Sequence, residues 1–292
     1  MRRFLKKITL ILCLSISFTF LIYFFTFFLN DLKVDLFYEN FTTIHKGSII
    51  TGTSRARYAI DTKYLTDSLN FKNLSFTRSK SPYNTSYTNF LINYTHQSPN
   101  RVTVLSVSPI SFEKKFELNE EYFQKFNFEK EDFKKVNLEY LLKEKVTPLK
   151  LVTENGKLLL RRIVFGNNHE FDNRNITNLI SINKRVDDYP IPNKLNYTYL
   201  KNLERLIQHF SKTSKVVLIR NPIRKELYNK ETTLIPFFNQ TIETIVKKNS
   251  VYYFDLNKFE FNPDLKFYDI SHVNKNEAKR ITKLIDSLIH IQ

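Results

Sequence analysis

The chain has 292 residues, 42% of them hydrophobic, and carries a formal net charge of +16. This length and hydrophobicity allow a sizeable core in one large domain or two small ones, which excludes an intrinsically disordered protein. The Lys and Arg residues are dispersed and form no tight basic block, so the charge has two explanations that stay open. It reflects a polyanionic or membrane-surface partner, or the compositional drift of an AT-rich genome.

The N-terminus combines a basic flank with a long uncharged segment. Residues 1–7, MRRFLKK, carry four positive charges, and the 22 residues 8–29 carry none. A helix of this length, at about 1.5 Å per residue, spans a bilayer core of about 30 Å. The pattern predicts a cytoplasmic tail, a transmembrane anchor and an exported domain over residues 30–292. The alternative is a cleaved signal peptide, but no A-x-A site follows and the first alanine is Ala56.

Cysteine and histidine usage limits the chemistry of the exported part. Cys13 is the one cysteine of the chain and lies in the uncharged segment, which excludes disulfides, Cys-ligated metals and a Cys nucleophile beyond it. His96, His169 and His209 have no spacing typical of metal ligands. We therefore expect neither a metal nor a cofactor.

Apolar strand-like segments alternate with amphipathic helical segments after the anchor. The strands are predicted at 48–51, 71–77, 101–109, 215–222 and 250–256. The helices are predicted from Asp61 towards Leu69, at 85–94, 199–210 and 237–248, and at the C-terminus through Ala278, Ile281, Leu284, Ile285 and Leu288. This alternation predicts an α/β three-layer sandwich with a mostly parallel central sheet.

One charged and irregular stretch, at about 111–195, does not fit the alternation. We interpret it as an insertion between the third and fourth strands. It forms either a lid or partner-binding surface, or a solvated helical excursion.

The first strand is followed by an unusual placement of glycine. The chain has only four glycines, and Gly52 lies two residues before Ser54, in GSIITGTSRARYAID at 47–61. In parallel sheets, ligands bind outside the carboxyl ends of the strands. Gly52 lets the chain turn sharply off the strand, so we predict that Ser54 is a reactive group at this edge.

A second informative stretch precedes the last helix. Asp269 and His272 are three residues apart, and Asn274 followed by Glu277 predicts an N-terminal cap for that helix. In a parallel sheet this loop opens at the same edge as Ser54. A serine nucleophile needs an imidazole to take its proton and a carboxylate to orient that imidazole. We therefore predict Ser54 as nucleophile, His272 as general base and Asp269 as orienting carboxylate.

These two blocks resemble the SGNH (GDSL-like) hydrolase family. Gly52-Thr53-Ser54 resembles its Gly-Asp-Ser block after the first strand, with Thr where Asp is commonest, and Asp269-Ile270-Ser271-His272 resembles its Asp-x-x-His block. HVNKNEAKRIT, from His272, resembles the H-x-N-x-x-G-A run of membrane-anchored relatives, with Glu277 in place of Gly and Ala278 retained.

The resemblance covers residues 47–109 and 213–290. It implies an SGNH/flavodoxin-like fold and ester chemistry without a cofactor. The anchored relatives include cell-envelope O-acyltransferase and D-alanyl-lipoteichoic-acid-type proteins. By analogy, the expected partners are an envelope glycan or polymer and a multi-spanning membrane acyltransferase that supplies the acyl group.

The chain departs from the family at the oxyanion hole, which uses the serine N–H, a glycine N–H after the second strand and an Asn after the third. The segment NLSFTRSKSPYN has no glycine and SVSPISF has no Asn. The resemblance leaves as oxyanion candidates the N–H of Ser54, the N–H of Arg78 or Ser79, and the hydroxyl of Ser108.

Basic and polar residues near these blocks are candidates for substrate binding. Arg55, with Arg57, either binds an anionic polymer or belongs to a solvated turn. Asn221 and Arg224 follow the fourth strand in RNPIRKE and either contact substrate or complete a satisfied loop.

Three functions follow from these patterns. The leading one is an anchored, extracytoplasmic SGNH-like serine esterase or O-acyltransferase acting on a cell-envelope polysaccharide or polymer. The second is a non-catalytic SGNH-like scaffold or glycan-binding component of an envelope assembly complex, which the incomplete oxyanion hole favours. The third, nucleic-acid binding, fits the positive charge alone, and the predicted export argues against it.

Overall fold

A computed structural model of the chain describes residues 2–28, 47–76, 81–94, 101–114, 175–259 and 264–290. Helix α1 (Arg2–Phe28) belongs to one compact unit and the remaining elements to another. Its segment Phe4–Leu21 has a mean hydropathy of 1.8 and is long and apolar enough to cross a membrane. The predicted apolar helix is therefore confirmed, while its orientation and the export of the second unit stay predictions.

The second unit is built on a five-stranded, all-parallel sheet. Its strands are β1 (Ile49–Thr51), β2 (Lys72–Asn73), β3 (Arg101–Ser106), β4 (Ser214–Arg220) and β5 (Tyr252–Asp255), in the order β2-β1-β3-β4-β5. In the register, Ile50 pairs with Val104 and Val104 with Val217. The predicted parallel sheet is confirmed, and the carboxyl ends of β1, β3 and β4 meet at one edge.

Helices flank the sheet. They are α2 (Ser54–Ala59), α3 (Thr85–Tyr94), α4 (Leu179–Asp187), α5 (Tyr197–Phe210), α6 (Lys225–Leu234), α7 (Phe238–Asn249) and α8 (Lys275–Ile289). Helix α2 packs against α8, whereas α3, α5 and α7 form a second packed group that reaches β4 and β5. The helices predicted at 85–94, 199–210 and 237–248 and at the C-terminus are confirmed.

The main core lies between the sheet and the pair α2 and α8. Its fully buried members are Ile50, Ala56, Val104, Val217, Ile219, Leu256, Ala278, Ile281 and Ile285. The predicted apolar stripe of the last helix therefore faces strands β1, β3 and β4. Burial of a complete aliphatic side chain contributes about 1.5–3 kcal/mol, so this shared core keeps α2 and α8, which flank the two predicted motifs, against the same strands.

The helix predicted from Asp61 towards Leu69 is wrong. The segment instead forms two single 3-10 turns, Thr62–Tyr64 and Asp67–Leu69. The carboxylate of Asp286 on α8 accepts bonds from the backbone N–H and the hydroxyl of Thr66, at 2.9 and 3.0 Å. These tertiary bonds take a donor that a continuous helix would use, so the local pattern is overridden.

Helix α6 has no counterpart in the sequence prediction. Its sequence KELYNKETTL is polar, and its buried residues are Leu227 and Glu231. Because one of these two is charged, the helix lacks the apolar periodicity by which helices are recognised.

The predicted insertion lies largely outside the described residues, which omit 115–174. Its returning end packs on the domain, where Ile182 and Val186 of α4 contact Ile223, Leu227 and Ile270. The N–H of Ile176 bonds the carbonyl of Phe267 at 2.9 Å. Ile176 is therefore bonded to a residue that lies only two positions before Asp269.

Candidate active site

Ser54, His272 and Asp269 form a continuous hydrogen-bonded chain at the carboxyl edge of the sheet. The Oγ of Ser54 lies 2.9 Å from Nε2 of His272, and Nδ1 of His272 lies 2.7 Å from Oδ2 of Asp269. The His272 and Asp269 side chains are 17% and 25% exposed. The geometry brings together three groups whose motifs are 218 residues apart in sequence, and it leaves them partly open to solvent.

Ser54 occupies its position because β1 ends three residues earlier, at Thr51, and α2 begins at the serine. Thr53 is the N-cap of α2, and its hydroxyl accepts from the N–H of Arg55. A Cβ at Gly52 would lie 2.6 Å from the Cβ of Ser106 and 2.8 Å from that of Ala56. Glycine is needed here because β3 and α2 approach the backbone closely. The sequence predicted glycine for a sharp turn and did not reveal this packing.

Replacing Gly52 by alanine should destabilise the domain by about 1–3 kcal/mol, because the Cβ atoms it would meet cannot rotate away. Thermal unfolding of the full chain in detergent micelles measures the effect as a lower melting temperature. Ser287→Ala, on the exposed side of α8, is the control and should stay within about 0.5 kcal/mol. An unchanged melting temperature in Gly52→Ala would contradict the packing account.

The loop that carries His272 is braced by Asp269. Oδ1 of Asp269 accepts from the backbone N–H groups of Ser271 at 2.7 Å and His272 at 2.8 Å. At the base of the loop, Phe267 and Val273 form an antiparallel bridge. The next residue, Asn274, caps α8 through Oδ1, which accepts from the N–H of Glu277 at 3.1 Å, as predicted. The carboxylate of Asp269 thus holds both the loop backbone and the imidazole of His272 in place.

Two further side chains contact His272 and were missed by sequence reasoning. The hydroxyl of Ser271 lies 3.2 Å from both Nδ1 of His272 and Oδ1 of Asp269. The ring of Tyr58 meets the imidazole edge-on, with centroids 4.9 Å apart. Tyr58 lies four residues after Ser54, one helical turn, and this spacing was the available signal.

Asp269 is held in its charged form. Burial raises the pKa of its carboxyl, but the hydrogen bond and charge of His272 and the two backbone N–H bonds outweigh burial and lower it below 3.8. Because the folded-state pKa is the lower one, the ionised carboxylate stabilises the fold fully above the unfolded value. This contribution is lost as the pH falls through the folded value.

Acid should therefore destabilise the wild-type domain more than an Asp269→Asn variant. Melting temperatures measured between pH 7 and pH 2 should fall more steeply in the wild type below about pH 4, where unfolded aspartate begins to bind protons. Asp67→Asn, in an exposed 3-10 turn, is the control and should follow the wild type. If the melting temperatures of wild type and Asp269→Asn fell in parallel as the pH is lowered, the lowered pKa of Asp269 would be contradicted.

Arg55 is buried, contrary to both expectations for it. It is 3% exposed, and Nη2 lies 2.6 Å from Oε1 of Glu231 and 3.4 Å from the hydroxyl of Tyr189. Burial alone would lower the pKa of the guanidinium, but the Glu231 carboxylate outweighs it and raises that pKa. Arg55 therefore contributes its charge inside the protein and belongs to no solvated turn. Arg57 is half-buried and donates to the carbonyl of Asn73 at 3.2 Å.

Glu231 is the centre of a buried ionic network that the sequence did not reveal. Its Oε2 lies 2.8 Å from Nη2 of Arg220, the last residue of β4. Nη1 of Arg220 lies 3.5 Å from the carboxylate of Asp255, the last residue of β5. The network thus joins the residue after Ser54 to the carboxyl ends of two further strands.

The remaining candidates are bonded within the protein. Nδ2 of Asn221 donates to the hydroxyl of Ser106 at 2.7 Å, and Nη1 of Arg224 donates to the carbonyl of Ile176 at 2.8 Å. Arg224 is half-buried, which fits the satisfied-loop alternative. Asn221 is buried, but its Oδ1 has no hydrogen-bond partner among the described residues, so the loop satisfies only part of its amide. Ser108 is buried, and its hydroxyl lies 3.0 Å from that of Ser111. Arg78 and Ser79 lie outside the described residues.

Comparison with known proteins does not identify a family for this chain. No protein-family model matches the chain, and no curated protein matches it. Within the described part of the chain, no group of three or more His, Cys, Asp and Glu side chains is arranged to hold a metal ion. The functional assignment therefore rests on the residues of the site.

Proposed function

We propose that this chain is a membrane-anchored, extracytoplasmic SGNH-like serine esterase or O-acyltransferase acting on a cell-envelope polysaccharide or polymer. The observation that carries the proposal is the hydrogen-bonded chain from Ser54 through His272 to Asp269. The apolar helix α1 supports the anchor. The resemblance of the two motifs supports the three-layer SGNH-like fold, the envelope substrate and a multi-spanning membrane acyltransferase as acyl donor.

The tautomer of His272 follows from its partners. An ionised carboxylate only accepts hydrogen bonds, so Nδ1, at 2.7 Å from Oδ2 of Asp269, carries the ring proton. Nε2 then presents its lone pair to the hydroxyl of Ser54 at 2.9 Å. This is the arrangement a general base needs before it takes the proton of a serine nucleophile.

In the first half-reaction, Oγ of Ser54 attacks the acyl carbonyl while its proton passes to Nε2 of His272. The tetrahedral intermediate collapses, the ester bond breaks, and the leaving alcohol takes the proton from His272. The acyl group is then esterified to Ser54. Asp269 stabilises the imidazolium that forms between the two proton transfers.

In the second half-reaction, His272 takes a proton from water or from a sugar hydroxyl, whose oxygen attacks the acyl-serine. The bond between the acyl carbon and Oγ of Ser54 then breaks, and Nε2 of His272 returns the proton to Oγ. Water gives hydrolysis, and a sugar hydroxyl gives O-acyl transfer. For the oxyanion of each intermediate we propose the backbone N–H of Ser54, which opens α2. The resemblance implies a second N–H from Arg78 or Ser79, which lie outside the described residues. The hydroxyl of Ser108 is directed to Ser111 and would have to turn away from it to contribute.

The test is a burst experiment with 4-nitrophenyl acetate on the full chain in detergent micelles. An acyl-enzyme releases about one equivalent of 4-nitrophenol per chain before the steady state. Ser54→Ala should abolish the burst, and Ser287→Ala should retain it. A steady state accelerated by N-acetylglucosamine, added as soluble acceptor, indicates transfer rather than hydrolysis.

The non-catalytic scaffold remains the second candidate because Ser108 and Asn221 are bonded within the protein. A folded wild type that releases 4-nitrophenol no faster than Ser54→Ala, in the burst and in the steady state, would overturn the enzyme and favour the scaffold. A burst that survives in Ser54→Ala would overturn the assignment of the nucleophile.

A further inference from the structure

The residue directly after the nucleophile is fixed at both its backbone and its side chain. The N–H of Arg55 donates to the hydroxyl of Thr53 at 3.4 Å, and its guanidinium lies 2.6 Å from Glu231 on α6. Ser54 lies between the Thr53 cap and Arg55, so any shift of the first turn of α2 moves Ser54.

Helix α2 needs such anchors because it has only six residues. A helix this short has too few internal hydrogen bonds to be stable alone, and tertiary contacts determine its position. Its C-terminal end is held by Nδ2 of Asn73, which donates to the carbonyl of Ile60 at 2.9 Å, and by Thr282, whose hydroxyl lies 3.3 Å from the carbonyl of Ala59. The N-terminal end of the helix is held by the contact between Arg55 and Glu231.

Glu231 is itself immobilised. Its side chain is fully buried, and Arg220 at the end of β4 binds its second carboxylate oxygen at 2.8 Å. Arg220 is held in turn by Oδ1 of Asn239 at 2.9 Å. The carboxylate therefore connects the start of α2 to a central strand of the sheet.

Folding stability alone does not account for Arg55. Its Nε and Nη1 atoms are buried and have no hydrogen-bond partner among the described residues, and unpaired buried donors are unfavourable. Without Arg55, Glu231 would keep Arg220 as its partner. These unpaired donors and the desolvation of two buried charges offset part of what the ion pair contributes to stability, so the placement of a guanidinium directly after Ser54 calls for a further explanation.

We infer that Arg55, held by Glu231, is a positioning residue that sets the orientation of Ser54 towards His272. The inference rests on the proposed function, since it assigns Arg55 to the same site. It acts through geometry: the contact between Ser54 Oγ and His272 Nε2 is 2.9 Å, and a displacement of about 1 Å lowers rates by about 10²-fold.

The test compares wild type with Arg55→Met and Arg55→Lys, each as the full chain in detergent micelles. A fluorophosphonate probe gives the maximal inactivation rate and the half-saturating probe concentration separately. In Arg55→Met, measured at a temperature where the variant is folded, we expect the maximal rate to fall about 10- to 100-fold, with half-saturation within about twofold. Arg55→Lys should be intermediate. Arg205→Met, on α5 and bonded to Asn202 and Asn89, is the matched control and should label like wild type.

A second readout does not depend on catalysis. In histidine-¹⁵N-labelled protein, the ring nitrogen shifts of His272 report its hydrogen bond to Ser54, and Ser54→Ala gives the shifts without that bond. The spectrum of Arg55→Met should move towards that of Ser54→Ala. If the wild type fails to react with the probe, the proposed function fails, while this spectrum still tests the positioning role.

The inference is overturned if folded Arg55→Met labels at the wild-type rate and keeps the wild-type shifts of His272. If Arg55→Met does not fold, Arg55→Lys decides by the same criteria. A lower maximal rate together with moved shifts in a folded variant supports it.

Discussion

Replacing His272 by alanine should lower the rate of Ser54 acylation by about 10⁴- to 10⁶-fold, the loss seen when a serine triad loses its base. A serine hydroxyl keeps its proton at neutral pH unless a base removes it during attack. In this chain, Nε2 of His272 is the base at 2.9 Å from Ser54. The pre-steady-state release of 4-nitrophenol from 4-nitrophenyl acetate measures the rate.

His209→Ala is the matched control for that experiment. His209 lies near the C-terminal end of α5, and its burial together with the charge of Lys212 lowers its pKa. It should retain wild-type acylation because it belongs to no part of the triad. Acylation of Ser54 that survives in His272→Ala within about tenfold would contradict the role of the imidazole as base.

Replacing Glu231 by glutamine should destabilise the domain by about 3–5 kcal/mol, the range for breaking a buried ion pair. The carboxylate bonds Arg55 at 2.6 Å and Arg220 at 2.8 Å. A neutral amide leaves two buried guanidinium groups with Asp255 as their remaining carboxylate, 3.5 Å from Arg220. Urea unfolding of the full chain in detergent micelles measures the loss as a lower transition midpoint.

Glu226→Gln, on the same helix but partly exposed and 3.4 Å from Arg224, is the control and should cost less than about 1 kcal/mol. The double variant Arg55→Met/Glu231→Gln should be more stable than Glu231→Gln alone, because it removes one of the two uncompensated charges. A change below about 1 kcal/mol in Glu231→Gln would contradict the network as a structural unit.

The sequence predicted the parallel sheet and most of the helices because their apolar periodicity is read directly from local patterns. The strand at 48–51 and the helix at 85–94 are examples, found at Ile49–Thr51 and Thr85–Tyr94. The triad residues were named from two short motifs, and parallel topology explains why these motifs meet: both follow strands whose carboxyl ends share one edge.

What the sequence could not predict depends on distant partners. Arg55 was expected at the surface because its buried partner, Glu231, lies 176 residues away in sequence. Helix α6 escaped notice because that same glutamate replaces an apolar residue on its buried face. The turns after Asp61 depend on Asp286, which lies 220 residues after Thr66. In each case a polar group is satisfied by a partner that no local window contains.

Fluorophosphonate labelling followed by peptide mass spectrometry tests whether Ser54 is an activated nucleophile. The full chain in detergent micelles would be labelled at neutral pH, digested and mapped. We expect one phosphonylated residue, Ser54, with labelling lost in Ser54→Ala and His272→Ala and kept in His209→Ala. A folded wild type without the adduct, or an adduct on another serine, would contradict this role of Ser54.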